Sequence, residues 1–281
     1  MRADLLRDNF EALVKTSEDV KALEAAILNL AVQGKLVPQD PNDEPANTLL
    51  ASMQSEYRAL VAAKEIRVTQ KLLPVGVGEQ PWPLPATWKW CRLNDIGDWG
   101  AGATPRRSEP TYWESGTIPW LKTGELNDGR ISATEELVTE LALAETSLRL
   151  NKPGDVLIAM YGATIGKLGI LDIEATTNQA CCACTPFAQV TNRYLFFFLL
   201  AMRDEFRSRG AGGAKPNISK TKIVQTSFAL PPRAEQTRIV VRLDELLART
   251  GELATELHAA EHARARLLKA VLNGEGLNSR L

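Results

Sequence analysis

The alternation of apolar and polar positions is most regular near the C-terminal end of the chain. Between Arg233 and Asn273, about forty residues with no proline and one glycine, apolar side chains recur at Ile239, Leu243, Leu246, Leu253, Leu257, Leu267 and Val271. Steps of four and three alternate, with Thr250, Ala260 and Arg264 in the remaining seam positions. This heptad seam predicts one helix over 233–273, on the order of 60 Å long at about 1.5 Å per residue. A domain of this size covers only part of such a rod, so a partner helix is expected, and the mixed charges on its flanks suit a coiled coil. The competing reading is a single amphipathic helix lying on its own domain.

The N-terminal pattern is also helical. A short helix is expected over residues 4–15, with Leu6, Phe10, Leu13 and Val14 on one side. Thr16-Ser17-Glu18-Asp19 supplies a cap and first-turn acids for a second helix through Val20, Leu23, Ile27 and Leu30, stopped by Gly34. Pro38 to Pro45 is turn-rich, and a third helix is predicted from about Asn47 to Gln70. Residues 1–72 thus form an N-terminal helical region, and 73–85, with four prolines and two glycines, a linker.

From 86 to 232 the texture becomes mixed. Strands are expected at 88–93, 118–121, 156–160, 165–171, 180–184 and 226–230, with a helix over 192–208. The chain therefore reads as α+β: N-terminal helices, a mixed α/β domain, a long C-terminal coiled-coil helix and a tail at 274–281. One internal echo stands out. Leu23-x-x-Ala26-Ile27-Leu28-Asn29 returns as Leu267-x-x-Ala270-Val271-Leu272-Asn273.

Composition narrows the function. A net charge of -1 over 281 residues excludes a globally basic nucleic-acid binder, so any such contact must be local. Cys181, Cys182 and Cys184 are too closely spaced to bridge one another, which fits a reducing cytoplasm. The longest apolar run, Tyr194 to Met202, is about half a membrane span, and no membrane partner is expected.

No catalytic set assembles. His258 and His262 lie four apart on the rod without a third ligand, so no metal is expected. Gly162-Ala163-Thr164-Ile165-Gly166-Lys167-Leu168 is one residue short of a phosphate loop and has Leu168 where the magnesium-binding hydroxyl belongs.

Binding chemistry is more evident. Between Arg193 and Lys222 seven cations face two acids, Asp204 and Glu205. The glycine-rich stretch 210–220 carries Lys215, Asn217, Ser219 and Lys220. Three further loops combine cations with hydrogen-bonding side chains: Thr104, Arg106, Arg107 and Ser108 with Tyr112; Lys122 and Thr123; and Tyr161, Thr164 and Lys167. Together they make a candidate DNA surface, in which cations meet phosphates and amides or hydroxyls meet base edges.

Several phrases then coincide in order. They are Leu30 to Pro45, Leu84-Pro85-x-x-Trp88, Gly102-x-Thr104-Pro105 with Tyr112-Trp113, and Ile118-Pro119-Trp120 with Gly124-Glu125. Gly154 to Ile158 with Tyr161-Gly162, Asn178-Gln179-Ala180, Pro216 to Ser219, and Pro231-Pro232-x-x-Glu235-Gln236 complete the set. As a set they resemble the specificity subunit of type I restriction-modification systems. The resemblance implies a target-recognition domain at 86–232 that reads half of a bipartite site in double-stranded DNA, followed by a conserved-region helix at 233–273. Family members usually carry two such units with antiparallel helices. A chain with one unit is expected to be a homodimer through that helix, or a fragment.

The resemblance also implies a non-catalytic chain that binds no cofactor. S-adenosylmethionine would belong to the modification (methyltransferase) subunit, and ATP and Mg to the restriction subunit. The alternative is a non-DNA coiled-coil scaffold or adaptor, whose binding would depend little on salt.

Overall fold

The structure is a computed structural model that describes residues 14–210 and 217–272. The expected helix at 4–15 lies almost wholly outside the described residues, as do Lys215 and the tail.

Helix α1 (Ser17–Val32) begins where the sequence places it. The Thr16 hydroxyl accepts from the Asp19 N–H, and the Asp19 carboxylate accepts from the Thr16 N–H at 2.9 Å, a reciprocal capping box. Helix α2 (Ala46–Ala62) is eight residues shorter at its C-terminus than predicted. Lys64, at φ 60°, turns the chain there, a left-handed stop with no glycine to announce it. The expected linker is tied down. Arg92 donates to the carbonyls of Leu73 at 3.1 Å and Gln225 at 2.8 Å and pairs with Glu79 at 2.7 Å.

Three sheets follow. Strands β1 (Lys89–Arg92) and β10 (Ser227–Leu230) pair antiparallel and close the two ends of the mixed domain onto each other. The central five-stranded sheet has the order β2 (Gly97–Ala101), β9 (Cys181–Pro186), β6 (Val156–Ala159), β7 (Leu168–Leu171), β4 (Gly129–Ile131). A three-stranded sheet orders β5 (Glu136–Val138), β3 (Ile118–Leu121), β8 (Thr176–Thr177). Strands β2, β4, β5 and β8 escape the sequence reading. They hold two to five residues, and none carries an apolar run: β2 and β4 contain glycines, β8 is Thr-Thr and β5 is three residues long.

The central sheet is buried on both faces. Val156, Ile158, Cys182 and Cys184 join the large helical core, whereas Leu157, Ala159, Cys181 and Ala183 point into a second cluster with Leu121 and Ile131. Small cysteines and alanines let β9 lie mid-sheet between two packed layers. All four cysteines are free and buried, and burial pushes the Cys182 thiol up to about 12.

Helix α3 (Glu140–Glu145) supports the small sheet. The helix expected over 192–208 is two, α4 (Asn192–Ala201) and α5 (Arg203–Gly210), divided at Met202. A short α6 (Lys220–Val224) precedes β10.

The predicted rod is continuous as α7 (Arg233–Leu272), but most of its seam is covered by its own chain. Helix α1 lies antiparallel along it, shown by Gln39–Glu235 at 2.6 Å, Glu24–Thr250 at 2.9 Å and Ser17–Glu261 at 3.4 Å. Ile239 and Leu243 are 0% exposed, and Leu246, Leu253 and Leu257 pack half-buried on the same core. These five differ from the expected partner-facing seam, because the apolar face of α1 (Val20, Leu23, Ile27, Leu28) fills it first. The distal seam residues Leu267 and Val271 are bare, at 69% and 67% exposed. Among the described residues no helix is long and apolar enough to cross a membrane.

Candidate nucleic-acid interface

The sheet registers decide where the loops go. Ala101 at the end of β2 lies opposite Cys182 near the start of β9, and Ala159 at the end of β6 lies opposite Cys181. Leu121 at the end of β3 lies beside Thr177 at the end of β8, with three residues between Thr177 and the start of β9. The loops after β2, β3 and β6 and the Asn178–Ala180 connection therefore emerge at one edge. The segment after residue 216 joins them: Asn217 bridges Tyr161, and Ile218 N–H donates to Met160 O at 2.9 Å. Four loops far apart in sequence, together with the 178–180 connection, converge on one margin of the domain.

Gly102 makes the closest approach there. A Cβ on it would come 2.1 Å from the Thr177 carbonyl, so the backbone crosses β8 only where no side chain intervenes. Just beyond, the Thr104 hydroxyl meets the exposed Gln179 amide. Charge and turn patterns do not mark Gln179 as a candidate, although Asn178-Gln179-Ala180 is among the phrases that carry the resemblance.

The edge groups divide by what already holds them. Arg106, Arg107, Ser108, Asn217 and Lys220 are exposed, and Thr123 and Lys167 are half-buried. Arg107 stacks with its guanidinium carbon 3.8 Å from the Trp113 ring centroid and donates to Glu136 at 2.5 Å. Lys122 pairs with Glu135 at 2.8 Å and Glu136 at 3.0 Å. Hydrogen bonds to these acids push the Lys122 amine well above its ordinary range, and the Arg107 hydrogen bond pulls the Glu136 carboxyl below the ordinary 4.5. Lys220 donates to the Trp99 carbonyl at 3.3 Å. Arg106 and Lys167 form no ion pair among the described residues.

Other candidates have structural roles. Ser219 caps α6 by accepting from Lys222 N–H at 3.3 Å, and Thr164 closes its turn on the Tyr161 carbonyl at 2.9 Å. Tyr112 donates to Glu145 at 3.0 Å and packs on the small sheet's core.

The local charge excess also shrinks. Arg203 pairs with Asp128 and Arg193 with Asp244, acids from distant segments, so the seven cations of 193–222 meet four acids rather than two. Among the described residues no group of three metal-ligating side chains exists, and the His258–His262 pair is exposed on the rod.

A domain of three sheets that gathers its loops at one edge and ends in a long helix has known counterparts. The profile of the family described as "Type I restriction modification DNA specificity domain" matches residues 85–260. The chain belongs to that family. It is 30% identical to the type I restriction enzyme EcoAI specificity subunit of Escherichia coli over 283 residues, covering 95% of this chain and 46% of that protein. It is 28% identical to the EcoEI specificity subunit of the same species, covering 93% and 46%. The crystal structure of the HsdS subunit from Thermoanaerobacter tengcongensis shares the fold, with a TM-score of 0.51 at 21% identity over 88% of this chain and 55% of that one. The chain thus spans about half the length of the relatives it matches.

Proposed function

We propose that this chain is a sequence-specific DNA-recognition subunit that reads one half of a bipartite site with the loop edge described above. The convergence of four polar loops on one sheet margin carries the reading. Arg106 and Lys167 would meet phosphates, and Asn217, Gln179 and Thr104 would be placed toward base edges. Methylation and cleavage would fall to partner subunits that supply S-adenosylmethionine and ATP with Mg, and this chain would be non-catalytic. Docking of the methyltransferase subunit, and through it the restriction subunit, would use the helical side formed by α1, α2 and α7.

The proposed pairing of two copies is confined to the distal rod. Leu23, Ile27 and Leu28 of α1 are covered by this chain's core, whereas their echoes Leu267, Val271 and Leu272 are bare. The same apolar pattern that α1 lays against the rod is thus available to a second copy. Two heads held antiparallel at fixed separation would suit the repeat of duplex DNA, about 34 Å per turn. Co-expression with a methyltransferase subunit, followed by mapping of methylated adenines, tests the reading. A bipartite consensus is expected, and methylation independent of this chain would refute it.

A further inference from the structure

The loop edge carries two carboxylates whose placement opposes DNA binding. Glu136 begins β5, opposite Trp120 in the register, and its side chain is 30% exposed at the same margin as the candidate contacts. One oxygen accepts from Arg107 at 2.5 Å and the other approaches Lys122 at 3.0 Å, while Glu135 takes Lys122 from the other side at 2.8 Å. Trp113 and Trp120 wall the Arg107 guanidinium at 3.8 Å and 4.8 Å. Two cations and two acids thus form a neutral cluster on a margin where phosphate contact would need positive charge. Arg106, next in the chain to Arg107, and Lys167 form no ion pair among the described residues.

We infer that Glu136 is a specificity-determining residue: it withholds Arg107 and Lys122 from indiscriminate phosphate contact and orients Arg107 for a partner that matches its fixed geometry. The inference rests on the DNA-reading role proposed above. The physical reason is competition. A phosphate on an arbitrary sequence offers these cations a charge equivalent to the one Glu136 already supplies, and it must also displace a preformed pair to collect it. A groove that presents the right acceptors to the stacked guanidinium gains a bidentate contact without disturbing the clamp. Non-specific affinity therefore falls more than specific affinity.

The full chain is titrated with a random-sequence duplex across a range of salt concentrations, as the native protein and as Glu136→Gln, Glu136→Asp, Arg107→Met and Lys122→Met. Glu136→Gln is expected to bind several-fold tighter at low salt, with the log–log salt slope steeper by about one counterion's worth, since Glu135 still holds Lys122. Glu136→Asp should keep the native slope. Arg107→Met and Lys122→Met in the native background should cost little on this probe, whereas Arg106→Ala should cost several-fold. The inference is overturned if Glu136→Gln leaves affinity and slope unchanged, or if Arg107→Met weakens random-duplex binding as much as Arg106→Ala. A native chain with no salt-dependent affinity for duplex DNA would overturn both the DNA-reading role and this inference, which separates the two failures.

Discussion

The indole N–H of Trp88 donates to the Glu235 carboxylate at 2.8 Å, across 147 residues of sequence. Trp88 stands at the entrance to the mixed domain, and Glu235 lies in the first turn of the rod. Gln39 donates to the other oxygen at 2.6 Å, and Asp43, four residues on, grips Arg238 at 2.5 Å. The turn-rich 38–45 loop, the domain entrance and the rod are thereby one joint. Three of the phrases that carry the family resemblance, at 30–45, 84–88 and 231–236, meet here, so they hold the mixed domain against the rod.

Glu235 is 0% exposed, and its loss would orphan the buried Trp88 indole N–H and free the exposed Gln39 amide from the joint. Glu235→Ala is expected to lower stability by about 2–4 kcal/mol in denaturant unfolding. Substitution of the exposed Glu252 should change it by less than about 0.5 kcal/mol.

The same residue gives a pH signature. Burial raises the Glu235 carboxyl above its ordinary 4.5, against the opposing pull of the Trp88 and Gln39 hydrogen bonds. The folded state therefore holds this proton more tightly than the unfolded state. The contribution is fully present below the ordinary value and is lost as pH rises through the folded one. Unfolding midpoints measured upward from about pH 4.5 should show that loss in the native protein, and Glu235→Gln should remove it.

The two halves of the rod seam should respond oppositely. Leu243→Ala is expected to cost about 2–5 kcal/mol of stability, because a fully buried side chain leaves a cavity. Leu267→Ala should leave stability unchanged within about 0.5 kcal/mol and weaken self-association in sedimentation. Equal destabilisation by both would contradict the division of the seam.

Gly102→Ala should shift or destabilise the loop edge by about 1–3 kcal/mol, since its Cβ meets the backbone carbonyls of Thr177 and Asn178 as well as the Thr177 hydroxyl. An unaltered melting curve together with unaltered DNA affinity would show that the close approach at β8 is dispensable.

Much of this architecture was legible in the sequence. The Thr16 cap, the strand at 118–121 and the unbroken rod follow from local chemistry, and they stand as read. What escaped depends on partners that sequence does not bring together. Periodicity marks the apolar face of Ile239 and Leu243 but does not say whether α1 or a second copy covers it. A window count of charge around Arg203 omits Asp128, and one around Arg107 and Lys122 omits Glu135 and Glu136. The loops themselves were visible as polar, glycine-bearing segments. Their common edge follows only from the β2–β9–β6 and β3–β8 registers.

The most direct test of the loop edge as a DNA-reading surface is the salt dependence of duplex binding by the native chain and by the Arg106→Ala, Lys167→Ala double variant. The account predicts weaker binding and a log–log slope shallower by about one for each phosphate contact removed, with the melting temperature unchanged. Native-like affinity and slope in the double variant would contradict it.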